Sequence, residues 1–175
     1  MINKITILMY FITLFFGSTH TWAEDSQGLE RATFSMYCYW TGEAALGALN
    51  GVKRSNIGSL DGKEVVEVFY DPKETNIKEM VQALKKRKSF YSLLYRTPHE
   101  KRIALASLPN REVIAGSQKV NYIEAKHSLK VRFPDIYDLD LSEEQALRLN
   151  SWAHFSRGPM PQILTFEQFR QLGKN

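Results

Sequence analysis

The chain has one cysteine in 175 residues, Cys38. A single thiol excludes an internal disulfide, a Cys-x-x-Cys redox pair and a multi-cysteine metal cage. Of the four histidines, His99 and His154 have no partner at metal-ligand spacing. After the first residues there is no long apolar run, so no stable membrane insertion is expected of the mature chain. Charge is nearly balanced, at a formal +4. The cations are scattered except for Lys85-Lys86-Arg87-Lys88, which reads as the solvated end of a helix, where cations complement the dipole. Nucleic-acid binding would need a broader basic patch interleaved with aromatics. There is also no repeat, no low-complexity tract and no persuasive linker.

What is present begins with the N-terminus. Lys4 provides a short positive region, Ile5 to Phe16 an apolar stretch too short to span a bilayer comfortably, and Thr21-Trp22-Ala23 a small-residue cleavage site. Residues 1–23 therefore read as a secretory signal cleaved after Ala23, with an uncleaved anchor as the alternative, and the protein is expected to be exported, either periplasmic or secreted. Removing Lys4 takes the net charge from +4 to +3. Residues 24–175 are enough for a single domain with a real core, expected to act as a monomer, with a core over 32–107 and a wrapping tail over 108–175. In an oxidising compartment a leftover thiol is buried, paired to another molecule, or reactive.

Along the chain, Glu24 to Arg31 reads as a flexible lead-in and Ala32 to Tyr37 as a strand. Gly42 to Leu49 is rich in Ala and Leu and reads as a helix. Val52 to Leu60 reads as a short strand ended by Asp61-Gly62. Lys63 to Tyr70 alternates and is rich in β-branched residues, so it is a strand. Ile77, Met80, Val81 and Leu84 recur at helical spacing, with Thr75 or Asn76 as N-cap. Phe90 to Tyr95 reads as a strand and Glu100 to Ser107 as a short helix. The order β-α-β-β-α-β is that of the ferredoxin-like split β-α-β sandwich, an α/β (α+β) fold. A C-terminal helical extension follows. Ser142 to Trp152 is helical, with Leu141, Ala146, Leu147 and Leu149 as its buried face. Pro159-Met160-Pro161 interrupts the chain, and Thr165 to Leu172 forms a last helix.

Cys38 lies where a β-type run meets a helix-type run. A helix N-terminus stabilises an anion and so favours the nucleophilic thiolate, whereas an arbitrary lone cysteine is simply a small buried hydrophobe. In the next strand Glu64 alternates with Val66 and Val68, which places it at the edge of an apolar face. Glu67 is expected to point the other way, into solvent. Glu43 is expected to support the first helical turn, and His127 to be a surface or structural histidine. Tyr39 and Trp40, read alone, are core aromatics.

Tyr37-Cys38-Tyr39-Trp40-Thr41-Gly42-Glu43, followed by Leu49-Asn50-Gly51-Val52, resembles the Gly-Cys-Phe-Trp block of the A-type peptide methionine sulfoxide reductases. Gly62-Lys63-Glu64-Val65-Val66-Glu67-Val68-Phe69-Tyr70-Asp71-Pro72 resembles the family's His-Ala-Glu-Val-Val-Glu-Val-x-Tyr-Asp-Pro. Glu100-Lys101-Arg102-Ile103-Ala104 with Ala106-Ser107, and then Glu124 with His127, are fainter echoes. The resemblance covers residues 32 to 84, thins to about residue 130 and does not extend beyond. Tyr37 stands where the family has glycine. The segment that brings a tyrosine to the substrate oxygen is cut to Lys53 to Lys63. Ser89-Phe90-Tyr91-Ser92 is the nearest stretch to the family's Gln-Tyr-Arg-Ser, with Phe90 at the tyrosine position, and Tyr91 can substitute only if the local register shifts. The C-terminal recycling cysteines are missing.

The resemblance implies a catalytic pair. Cys38 attacks the sulfoxide sulfur, and Glu64, as a carboxylic acid favoured by burial beside Trp40, donates to the departing oxygen. It also implies a substrate wall of Tyr39 and Trp40, joined by Tyr91, around the S-methyl group. The product would be sulfenic acid on Cys38. With no bound cofactor and no metal expected, the reductant has to be external, a thioredoxin-like protein or a small thiol. The substrate would be oxidised methionine, free or in proteins and peptides. Two alternatives stay open: a catalytically impaired relative acting as a binding module, and another thiol role such as peroxide reduction or disulfide exchange.

Overall fold

The computed structural model describes residues 28–155 and 158–173. The expected signal over residues 1–23 lies outside the described residues. The first strand, β1 (Glu30–Met36), starts two residues earlier than expected, inside the anticipated lead-in. Then come α1 (Tyr39–Gly47), β2 (Val52–Leu60), β3 (Lys63–Tyr70), α2 (Ile77–Lys86) and β4 (Phe90–Tyr95). They are followed by α3 (Pro98–Ser107), β5 (Val113–Ala115), β6 (Asn121–Ile123), α4 (His127–Arg132), α5 (Pro134–Tyr137), α6 (Glu143–Phe155) and α7 (Phe166–Leu172).

The sheet runs β5-β4-β1-β3-β2-β6. Its middle four strands, β4-β1-β3-β2, pair antiparallel and form the ferredoxin-like split β-α-β core that the element order implied. The short β6 joins β2 antiparallel, and β5 joins β4 in parallel, so the two remaining strands sit at the edges.

Each element follows from its sequence. In α2, Ile77, Met80, Val81 and Leu84 are the buried stripe, and the Glu79 N–H donates to the Asn76 side chain at 3.1 Å as an N-cap. Thr97 and Glu100 form a reciprocal capping box that starts α3 at Pro98, earlier than Glu100. Thr165 and Gln168 do the same for α7. The core lies between the helices and one sheet face: Phe34, Met36, Ile57, Val66 and Val68 pack against Leu46, Met80, Leu84 and Leu147. Leu147 belongs to α6, so the C-terminal third shares this core. A satellite cluster of Leu129, Ile136, Leu149 and Ala153 joins α4, α5 and α6. Ala146 is only half-buried, and Asn150, Ser151 and Ala153 complete the buried face of α6.

Two carboxylates depart from the sequence expectation. Glu67 does point away from the helices, but it is buried rather than solvated. Its Oε1 accepts from Tyr122 at 2.7 Å and its Oε2 from Arg96, because β6 and the end of β4 close over this part of the second face. Burial alone would push the Glu67 carboxyl up. The Tyr122 hydroxyl, Arg96 and Arg31 outweigh burial and hold it below the ordinary carboxylate range.

Glu43 is the second departure. It sits in the second turn of α1 and is fully buried. Its carboxylate accepts from the Ser55 hydroxyl at 2.8 Å, the Lys126 ammonium and the Lys126 N–H at 3.0 Å each, and the Asn150 amide at 3.1 Å. These donors come from β2, the turn before α4, and α6. Lys126 reaches in from a left-handed backbone conformation, φ 62°, and its ammonium also donates to the Ser55 carbonyl at 3.1 Å. Truncating one partner of such a pair leaves an uncompensated buried charge. Lys126→Met is therefore expected to destabilise the fold by about 3–5 kcal/mol in urea unfolding, with Glu43→Gln/Lys126→Met recovering part of the loss. A Lys126→Met protein as stable as wild type would contradict this role.

Candidate functional site

Helix α1 begins at Tyr39, three residues before the expected Gly42, and this makes Cys38 its N-cap, with extended φ −141° and ψ 115°. Two backbone links turn the chain here. The Tyr37 N–H donates to the Ser89 carbonyl at 3.1 Å, one residue past the β1–β4 ladder, and the Gly42 N–H donates to the Cys38 carbonyl at 3.0 Å. The Ser89 hydroxyl also donates to that carbonyl, at 3.3 Å. A Cβ at Gly42 would fall 1.9 Å from the Met36 sulfur, so glycine lets the Met36 side chain lie against α1 without moving. The first turn of α1 can therefore lie directly on the end of β1. Cys38 itself is half-buried and free.

Glu64, near the start of β3, pairs with Met36 across the ladder. Its Oε2 accepts from the Tyr39 N–H at 2.8 Å, so this half-buried carboxylate satisfies the first amide of α1, one peptide from Cys38. This contact accounts for the early helix start: an acceptor from β3 replaces the missing intrahelical partner at a position held by two aromatics of ordinary helix propensity.

The two aromatics diverge. Tyr39 packs partly into the core, and Trp40 meets it edge-on, with centroids 5.6 Å apart. Trp40 is 38% exposed and lies flat on His127, 4.2 Å between centroids and 9° between planes. His127 is thus a stacking partner of the site, a role that spacing alone did not reveal. Tyr91 sits where β1 and β4 lose register: Ser35 faces Ser92, Met36 faces Phe90, and Tyr91 is skipped. Tyr91 is 61% exposed, while Phe90 packs against the core.

His154 was also missed as a neighbour. Its ring shares hydrogen bonds with Ser128 at 2.8 Å and, through the other nitrogen, with Thr41 at 3.4 Å. It thereby ties α6 to α4 and to the first turn of α1. Thr41 occupies the position of the second thiolate in a Cys-x-x-Cys and spends its hydroxyl on this contact. Among the described residues no group of three or more His, Cys, Asp or Glu side chains could hold a metal ion, and no helix is long and apolar enough to cross a membrane. A cavity of about 650 Å³ lies at the opposite end of α1, between Gly47, Arg148, Trp152, Phe155 and Ile163. Arg148 is satisfied there by the Gly47, Leu49 and Val52 carbonyls.

The chain is similar to a peptide methionine sulfoxide reductase of Drosophila melanogaster, 30% identical over 100 residues. The match takes in 43% of this chain and 41% of that protein, less than half the length of either. No family model matches the chain.

Burial, together with the nearby Arg132 and Arg87 guanidiniums, holds His154 below its ordinary value of 6.5. The unfolded chain therefore binds more protons than the folded one as pH falls past that value. The stability His154 contributes is present above pH 6.5 and lost below it. Thermal melts of His154→Gln are expected to show a shallower fall in Tm between neutral and mildly acidic pH than wild type. Parallel pH curves for the two proteins would refute the assignment.

Proposed function

We propose that the protein reduces methionine-S-sulfoxide through Cys38. The observation that carries this reading is the junction of three groups at one helix end: the Cys38 thiol at the N-cap, the Glu64 carboxylate on the adjoining amide, and the exposed indole of Trp40 beside them. The sequence similarity to a methionine sulfoxide reductase supports it from an independent direction.

The sulfur of a sulfoxide becomes electrophilic when its oxygen is protonated or strongly hydrogen-bonded. In this reading the Glu64 carboxyl supplies that proton while Oε2 stays on the Tyr39 N–H. The Cys38 thiolate, the nucleophilic form, attacks the sulfur. Trp40, braced by His127, and Tyr39 hold the S-methyl group, with Tyr91 at the rim. In the net step one oxygen atom moves from the sulfoxide to Sγ. The sulfoxide gains two electrons and becomes a thioether, and Cys38 becomes a sulfenic acid. An external thiol condenses with the sulfenic acid, releasing water, and a second thiol frees Cys38 as the resulting disulfide departs. A thioredoxin-like protein or a small thiol fills that role, since the chain has no second cysteine. The signal-like composition of residues 1–23 supports a setting for this repair of oxidised proteins outside the cytoplasm, in the periplasm or secreted.

The deciding assay is reduction of a dabsylated methionine S-sulfoxide with dithiothreitol. Wild type is expected to turn over, Cys38→Ser to fall to background, and Glu64→Gln to lose roughly 100- to 10,000-fold. Without reductant, mass spectrometry should find one added oxygen on Cys38 after a single turnover. A folded wild-type protein with neither turnover nor Cys38 oxidation by the sulfoxide would sink the proposal and favour a binding role.

A further inference from the structure

The first turn of α1 is bordered by cations that no carboxylate among the described residues neutralises. Arg87 caps the C-terminus of α2 and lies 3.9 Å over the Phe155 ring. Lys88 follows in a left-handed conformation, φ 53°, and Ser89 then docks on Tyr37 and Cys38. Arg132, at the end of α4, donates to the Ala153 carbonyl at 2.5 Å. Arg87 and Arg132 both act on His154, which contacts Thr41 within that first turn. All three cations are exposed. Among the described residues, none of them forms an ion pair with an aspartate or glutamate. The nearby acids are already engaged: Glu43 with Lys126, Glu64 with the Tyr39 amide, and Glu124 with Lys130. Tyr37, next to Cys38 in the chain, is 73% exposed, and Tyr91, two residues after Ser89, is 61% exposed, so open aromatic surface accompanies these cations.

We propose that this surface selects methionine sulfoxide carried in an acidic peptide segment, a specificity that rests on the reductase reading of Cys38. Exposed aromatics give a peptide backbone and its side chains something to lie on. Cations beside the first turn of α1 attract carboxylates on the flanking residues, which raises association and rejects basic segments.

The test uses three peptides of equal length with the sulfoxide flanked by Asp and Glu, by Ser and Gly, or by Lys. Binding to the Cys38→Ser protein is read by fluorescence anisotropy at low and high salt, and turnover by wild type with dithiothreitol is read in parallel. The acidic peptide is expected to bind about tenfold tighter than the lysine peptide at low salt, with the ratio shrinking as salt rises. Arg87→Glu/Lys88→Glu, checked for folding by circular dichroism, is expected to reverse the order. Affinities within twofold of one another, or an acidic preference that survives the charge reversal, overturn the proposal. Turnover of all three peptides alongside equal binding overturns this surface and leaves the reductase reading intact. An acidic binding preference with no turnover of any peptide upholds the surface and counts against the reductase.

Discussion

The buried Glu43 carboxylate is the constraint on which the rest of the arrangement depends. A charge removed from water is tolerated only where its lone pairs are met, and here four donors from three segments meet them. Because those donors lie on β2, at the turn before α4, and on α6, one side chain fixes α1 against everything around it. Four sites of acceptance also oblige Lys126 to take up its left-handed backbone, since its amide and its ammonium must reach the same carboxylate. The position of α1 is in turn what places Cys38, because the cysteine is the residue immediately before the helix.

The opposite face of the sheet uses the same logic with a different cation. Glu67 is stabilised by Arg96 and Tyr122 instead of by solvent, and the short strand β6 brings Tyr122 there. Each face therefore carries one buried carboxylate. Glu43 anchors the helical layer and Glu67 closes the second face. Glu64 differs from both. It is half-buried and faces a helix end, so it is the carboxylate with access to the thiol's surroundings.

Most of the secondary structure was legible in the sequence because local chemistry dictates it. Alternation in Lys63 to Tyr70, the i, i+3, i+4, i+7 stripe of α2, and the Asn76 cap are short-range signals. The start of α1 is not, and there the local reading failed: Ala-rich propensity pointed to Gly42, whereas Glu64, twenty-five residues from Tyr39, extends the helix back to Tyr39. The solvated reading of Glu67 failed for the same kind of reason. Period-two alternation gives the face a residue occupies, but not what covers that face.

Sequence by itself determined the split β-α-β core, the single thiol, and the choice of Cys38 and Glu64 as the residues worth testing. Tertiary structure alone decided that Cys38 is an N-cap, that His127 stacks on Trp40, that His154 braces the first turn, and that Tyr91 sits on a register shift. It also decided that, among the described residues, Arg87, Lys88 and Arg132 lack acidic partners. The division has a physical cause: hydrogen-bonding period and side-chain alternation act over a few residues, whereas burial, ring stacking and charge neutralisation depend on segments a hundred residues apart meeting in space.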